Sequence, residues 1–258
     1  MGFIISGEEL AVALAPVAVY WIYSGVYVAL GSAGALDRYR LHSRRDEETK
    51  NMASKKDVVK GVLLQQAIQV AISLAVLKQD GGDDGVETGQ ASTPAAAAAA
   101  AAALLGVAAR FGVAMVVLDT WQYFMHRLMH ASPYMYQRFH SRHHRVVAPY
   151  AFLTETLSGA AAFLASGMAA AFFALATVKG IDDHCGLMLP WNPLHAAFGN
   201  NTAYHDVHHQ RGGGRRNLSQ PFFVVWDRLL GTHAGYVVLA TKDGGLEAKA
   251  MEDYRHVA

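Results

Sequence analysis

Ten of the 13 histidines in this chain lie between residues 126 and 209, and eight of them fall into three short clusters. His126-Arg-Leu-Met-His130 reads HxxxH, and on a helix that spacing puts both imidazoles on one face. His140-Ser-Arg-His143-His144 reads HxxHH, and His205-Asp-Val-His208-His209 repeats the pattern. Neutral imidazole is a ligand for iron, copper, zinc and nickel. A lone cysteine, Cys185, leaves too few thiolates for a Cys-rich zinc or iron–sulfur site and excludes an intrachain disulfide. Eight clustered histidines exceed what one ion takes, so the economical reading is two metals. Two irons side by side can bind O2 and generate an oxidant able to attack an unactivated C–H bond. Carboxylates are expected to orient such rings from behind. Asp119, Asp182, Asp183 and Asp206 are placed for that role, with a solvated charge or helix cap as the alternative for each. Spacing leaves His184 and His195 open, whereas His42, His233 and His256 read as plain surface residues.

The elements that must hold these rings are greasy. Hydrophobic residues make up 52% of the 258 and charged residues only 17%, against about 25% charged in ordinary soluble domains. The net charge of +1 excludes nucleic-acid binding by bulk positive charge. Leu10 to Leu36 carries no charge and is long enough to cross a bilayer. Ala33-Gly34-Ala35 resembles a signal-peptide cleavage site, but the leader lacks a basic start, carries Glu8 and Glu9, and is too long. A retained span is the expectation. Gly61 to Leu77 is a second span, whose Gln65, Gln66 and Gln69 imply packing against other helices. A third starts after Pro94 with nine alanines and runs through Arg110 to Leu118. A low-complexity linker is the alternative there, but Val113 and Met115 to Leu118 carry the apolar run directly into the histidine region.

Residues 37–60 hold eight Lys/Arg, whereas 78–94 is acidic, Gly-containing and flexible in character. The positive-inside rule puts 37–60 in the cytosol and 78–94 on the far side. The third helix then returns the chain to the cytosol near residue 119. Arg127, Arg138, Arg142 and Arg145 agree with that side. Thr156 to Val178 is a further apolar run of 23 residues. A single crossing there would separate the two HxxHH clusters, so a membrane-dipping hairpin is predicted, turning near Gly167 with arms of about 20 Å. The predicted fold is an all-α integral membrane protein. It has about three transmembrane helices, this hairpin, and a cytosolic histidine-rich helical cap holding a dimetal site.

Several stretches resemble one family. These are Asp119-Thr-Trp-Gln-Tyr-Phe-Met-His126-Arg-Leu-Met-His130, His140-Ser-Arg-His-His144-Arg, Asp182-Asp-His-Cys-Gly186 and Asn200-Asn-Thr-Ala-Tyr-His205-Asp-Val-His-His-Gln210. They are similar to the sphinganine C4-hydroxylases of the fatty acid hydroxylase/sterol desaturase superfamily. Asn217-Leu-Ser-Gln-Pro-Phe-Phe223 and Trp226-Asp-Arg-Leu-Leu-Gly-Thr232 continue the likeness, and Tyr39-Arg-Leu-His-Ser43 and Val59-Lys-Gly-Val-Leu-Leu-Gln-Gln66 extend it in the manner of plant members. The resemblance implies residues 1–118 as membrane anchor and 119–258 as fatty acid hydroxylase domain. It implies a di-iron enzyme of the endoplasmic reticulum that uses O2 and electrons from NAD(P)H through cytochrome b5 and its reductase. The substrate would be sphinganine or dihydroceramide, converted to 4-hydroxysphinganine. The implied ligands are His126, His130, His140, His143, His144, His184, His205, His208 and His209, and Asp119, Asp183 and Asp206 stay, by their positions in the sequence, the candidates to orient them. One departure stands out. Family members carry an Asn-His-Pro-Leu-Glu-like element after the Pro-Tyr that matches Pro149-Tyr150, whereas here Ala151-Phe-Leu-Thr-Glu155 runs straight into the apolar segment. His195 is the candidate substitute for the histidine that element supplies.

Other readings remain open at this level. A C4 desaturase uses similar histidine boxes and differs in its product. A paralogue impaired by the missing element would differ in its iron content. A histidine-rich metal transporter would place its histidines mid-span, whereas here they flank the spans among arginines.

Overall fold

A computed structural model describes residues 5–77, 94–150 and 169–255. The chain starts with α1 (Gly7–Ser32), a 3-10 turn (Gly34–Tyr39), α2 (Arg44–Lys50) and α3 (Lys55–Leu77). Then come α4 (Pro94–Ala131), α5 (Pro133–Met135), a π turn (Tyr136–His140) and a 3-10 turn (His143–Arg145). The C-terminal part holds α6 (Ala169–His184), α7 (Pro193–Ala197), α8 (Thr202–His209), α9 (Val225–Leu230), strands β1 (Tyr236–Ala240) and β2 (Leu246–Ala250), and α10 (Met251–Arg255).

Three helices are long and apolar enough to cross a membrane, at Gly7–Ser32, Lys55–Leu77 and Ala98–Ala131. They match the three expected spans. α1 begins with a capping box in which Ser6 and Glu9 satisfy each other's backbone N–H. Its buried residues Ala13, Pro16, Tyr20, Ser24 and Tyr27 recur at helical spacing and face α6 and α3. Trp21 donates its indole N–H to Gln66 on α3 at 3.0 Å, so this span glutamine does pack against a neighbouring helix. Tyr20, Tyr27, Val62, Ile181, Cys185 and Leu187 form the apolar cluster between α1, α3 and the end of α6. On α4, Val113, Val117, Trp121, Phe124 and Leu128 form an exposed apolar stripe, while Ala114, Leu118, Tyr123 and His126 face inward. One helix thus presents hydrocarbon to lipid on one side and an imidazole to the protein interior on the other.

The basic segment after α1 does not hang free. Leu41 donates to the Gly186 carbonyl (2.9 Å), Met188 to that of Tyr39 (2.8 Å), Met52 to that of Arg145 (2.7 Å) and Leu246 to that of Arg40 (2.7 Å). Asn51 exchanges hydrogen bonds with Ala148. These bonds place residues 37–60 on the same face as the histidine-bearing segments, as the charge argument required.

The structure adds one element to the predicted all-α fold. β1 and β2 pair antiparallel from Tyr236↔Ala250 to Ala240↔Leu246 and pack beneath α8 through Val207, Ala203, Ala248 and Ala250. Tyr236-Val-Val-Leu followed by Asp243-Gly244-Gly245 is the strand-and-turn signal for it, and Gly244 takes the left-handed backbone (φ 86°). The acidic loop and the Gly167 turn fall at residues 78–93 and 151–168, outside the described residues. The expected hairpin therefore lies largely outside the described residues, and the chain after it forms α6, which packs along α1 and ends at His184.

α6 also carries a fully buried ion pair. Lys179 contacts Asp183 one turn on and donates to the Asn200 carbonyl (3.1 Å). Removing one partner of a buried pair leaves an uncompensated charge and costs about 3–5 kcal/mol. Lys179→Ala is therefore expected to lower the unfolding midpoint in detergent sharply, and Lys179→Met with Asp183→Leu to recover most of the loss. A midpoint unchanged by Lys179→Ala would show that the pair contributes nothing.

Candidate metal centre

Five elements bring the histidines together. α4 continues past its span and presents His126 and His130 one turn apart. The π turn, wider than an α turn, delivers His140, and the following 3-10 turn delivers His143 and His144. His184 is the last residue of α6. α8 carries His205, His208 and His209, and is capped by Asn201, whose side chain accepts from Ala203 and Tyr204 N–H.

The nine rings form two groups. His126, His130, His140, His144 and His208 make one, and His143, His184, His205 and His209 the other, with one ring nitrogen per residue inside 4.8 Å of the rest. Each HxxHH motif serves both groups. His140 and His144, one turn apart, go to the first and His143 to the second, while His205 and His209 go to the second and His208 to the first. The two groups abut, with the His144 and His209 rings 5.0 Å apart between centroids.

The donor set fits a metal. Nε2 atoms in the first group are separated by 2.8 Å (His130–His140), 2.9 Å (His140–His144), 3.1 Å (His126–His140, His144–His208) and 3.2 Å (His130–His208). Metal–nitrogen bonds of about 2.0–2.1 Å at right angles put neighbouring nitrogens about 2.9 Å apart. Nδ1 of His126 donates to the Leu218 carbonyl and Nδ1 of His208 to the Arg216 carbonyl, both at 2.8 Å, with the Gln220 amide 3.1 Å from the former. Those bonds commit the ring protons outward and leave bare Nε2 lone pairs pointing inward. In the second group the Nε2 atoms of His205 and His209 lie 3.2 Å apart, and their buried Nδ1 atoms have no hydrogen-bond partner among the described residues. Converging lone pairs repel unless a cation sits among them, and an all-nitrogen set suits a first-row transition ion.

Electrostatics hold the rings in the ligating form. Burial, reinforced by neighbouring imidazoles, pushes the pKa of His143, His205 and His209 well below the ordinary histidine value and lowers that of His144. His208 is pushed down to about 3, again mainly by burial.

The expected orienting carboxylates are employed elsewhere. Asp119 accepts the backbone N–H of Phe222 (3.1 Å) and Phe223 (2.5 Å), tying α4 to the C-terminal segment. Asp183 is taken by Lys179 and Asn200, and Asp182 by Tyr27 (2.6 Å) and Asn192 (2.5 Å). Asp206 points away from the rings to His42 (2.6 Å) and Gln210 (2.9 Å). Backbone carbonyls orient His126, His208 and His184 instead, the last through Gly180 at 2.7 Å. Sequence carries no signal for this, because every residue has a carbonyl.

Two lone histidines also need correction. His195 joins neither group but pairs with Asp182 at 3.0 Å on α7. His42 is not a plain surface residue, since its side chain is only 10% exposed and links the basic segment to α8 through Asp206. His233 is exposed as expected, and His256 lies outside the described residues.

One functional feature was missed. A Cβ on Gly214 would stand 2.9 Å from Nδ1 of His130, and one on Gly213 would collide with the Val207 and His208 carbonyls. The Gly212-Gly213-Gly214 run lets the chain close over the first group, and three consecutive glycines just past the last HxxHH were the available signal.

The depressed pKa values fix a pH dependence for the metal-free protein. Unfolded histidines bind protons near pH 6.5, while the buried rings refuse them. Stability is therefore intact above about pH 6.5 and falls as the pH drops through it, by up to about 1.4 kcal/mol per pH unit for each such ring. The unfolding midpoint of chelator-treated protein in detergent is expected to fall steeply on acidification, and a flat profile would contradict it.

Comparison with known proteins agrees with this geometry. A family model described as fatty acid hydroxylase matches residues 111–232, the stretch that holds all nine rings. Sphinganine C4-monooxygenase 1 of Arabidopsis thaliana is 46% identical over 99% of this chain and 98% of its own. Sphinganine C4-monooxygenase 2 of the same plant is 47% identical over 98% of each chain. A very-long-chain aldehyde decarbonylase of Oryza sativa subsp. indica is 42% identical over 95% of this chain and 96% of its own. No solved structure matches. A chain with this histidine constellation and these near full-length likenesses belongs to the fatty acid hydroxylase family.

Proposed function

We propose that this protein is a membrane monooxygenase that hydroxylates C4 of sphinganine, free or as dihydroceramide, to give 4-hydroxysphinganine. The observation that carries the reading is the pair of abutting histidine groups at the end of a membrane-spanning helix. Names shared by the two Arabidopsis relatives supply the substrate class. In the overall reaction the C4–H bond, O2, two electrons and two protons become C4–OH and water. The electrons come from NAD(P)H through cytochrome b5 and its reductase. His126, His130, His140, His144 and His208 would hold one iron and His143, His184, His205 and His209 a second, and such a pair would supply the O2 activation that an unactivated C–H bond demands.

The chain's own residues prepare the site. Leu218, Arg216 and Gly180 carbonyls fix three rings so that their lone pairs point inward. Burial keeps the rings neutral and excludes water. Residues 1–118 serve as anchor and 119–258 as the hydroxylase domain, with the alkyl chain between the spans and the amine end at the cap. The enzyme resides in the endoplasmic reticulum membrane with the histidine groups in the cytosol.

The test is expression in cells lacking C4-hydroxylase, followed by mass spectrometry of long-chain bases. Accumulation of 4-hydroxysphinganine is expected, and His130→Ala or His209→Ala should each abolish it and reduce iron from two to one per chain. A C4 double bond would instead establish a desaturase. A hydrocarbon shortened by one carbon would establish the reaction named for the rice relative. An intact, iron-loaded protein that yields no product beside an active Arabidopsis relative would overturn the catalytic reading.

Orientation has its own test. Native Cys185 is buried, and Glu48 lies exposed on α2 in the basic segment. Glu48→Cys is expected to react with an impermeant maleimide applied to the cytosolic face of intact microsomes. Labelling only after permeabilisation would reverse the topology.

A further inference from the structure

The sequence singles out Trp226-Asp-Arg-Leu-Leu-Gly-Thr232, a stretch that supplies none of the nine grouped rings. Its aspartate is completely buried. Asp227 accepts four hydrogen bonds, from Leu218 N–H (2.9 Å), Ser219 N–H (2.8 Å), the Tyr204 hydroxyl (2.8 Å) and the Thr232 hydroxyl (2.6 Å). The Ser219 N–H belongs to the same peptide unit as the Leu218 carbonyl. That carbonyl accepts Nδ1–H of His126 at 2.8 Å. One planar peptide is thus held by a carboxylate on its N–H side and by an imidazole on its C=O side.

The structure assigns Asp227 as a positioning residue for His126, acting through the Leu218–Ser219 peptide. A carboxylate on the N–H polarises the peptide, makes its carbonyl a better acceptor, and so strengthens the bond that orients the ring. The arrangement does the work of a carboxylate behind a metal-bound histidine, with one peptide inserted between them. His208 provides an internal comparison. Its Nδ1 also bonds a backbone carbonyl, that of Arg216, at 2.8 Å. The N–H of that peptide, from Asn217, meets the neutral carbonyl of Thr232 at 2.8 Å rather than a carboxylate. Two rings of one group are therefore oriented by the same kind of bond, with and without a charge behind it. Tyr204 and Thr232 reach the same carboxylate through their side-chain hydroxyls, so removing those hydroxyls separates a relay from mere packing around Asp227.

This inference rests on the reading of the nine histidines as metal ligands. The experiment titrates Co2+ into chelator-treated full-length protein in detergent and follows visible absorption. Wild type is expected to take up two ions. Asp227→Asn should weaken one of them about tenfold or more and alter its spectrum, whereas Tyr204→Phe and Thr232→Val should leave both within about twofold. In a His126→Ala background, Asp227→Asn should cause no further change, because its effect passes through that ring. Equal weakening by the Tyr204 and Thr232 variants, or a full further effect in the His126→Ala background, would overturn the relay. If Asp227→Asn does not fold, the zinc-loaded wild type labelled with 15N-histidine answers directly. The His126 Nδ1–H proton is expected downfield of the His208 one, and coincidence of the two would overturn the relay. Failure of the wild type to bind Co2+ would refute the ligand reading and the relay with it. Wild-type binding that Asp227→Asn leaves unchanged would refute the relay alone.

Discussion

An imidazole ligates through a lone pair, so its proton must sit on the other nitrogen and its ring must stay neutral. Gathering nine such rings into two adjoining groups imposes both conditions repeatedly. Neutrality comes from burial, which depresses the pKa of the rings on α8 and on the turn after the π segment. Proton placement comes from acceptors outside the cluster, here the carbonyls of Leu218, Arg216 and Gly180. Much of the C-terminal chain serves to hold those carbonyls still. Asp119 clasps the Phe222 and Phe223 amides, Asp227 clasps those of Leu218 and Ser219, and Asn217 bonds Tyr204 O and Ala234 N.

The same constraint explains why the membrane helices and the cap form one body. A cluster of inward lone pairs is unfavourable without its cation, so the scaffold must be stiff enough to hold it. α4 is simultaneously a span and a ligand carrier, and α6 couples the span α1 to His184 through the Tyr27–Asp182 bond. The basic segment is stitched across the cap by backbone bonds at Tyr39, Arg40, Leu41 and Met52 and by the His42–Asp206 pair. A motion of the spans relative to the cap would therefore have to break buried polar contacts, each costing about 1–3 kcal/mol.

The HxxHH motif shows how far pattern and geometry each reach. On α8, His205 and His209 share a helical face while His208 projects about 60° from His205 on the other side. One motif can therefore feed two ions, and two motifs of opposite assignment complete both groups. Such a split needs the motif pairs to face each other, which α8 and the turn at His140–His144 do.

Residue types and spacing were enough to single out eight of the nine grouped rings and the three long apolar helices, because ligand chemistry and bilayer thickness act on local stretches of the chain. Spacing alone left His184 undecided; the family resemblance favoured it, and the folded chain places its ring in the second group. The roles of Asp119, Asp183 and Asp206 were misjudged, since a carboxylate near histidines in sequence has several buried donors to choose among, and amides, Lys179 and His42 lay closer. The β1–β2 pair, the Gly213–Gly214 approach and the pairing of His195 with Asp182 were likewise decided by what packs against what. Which rings share a group, and which carbonyls turn His126, His184 and His208, depends on segments as far apart as α4 and residue 218. Only the folded chain brings them within the length of a hydrogen bond.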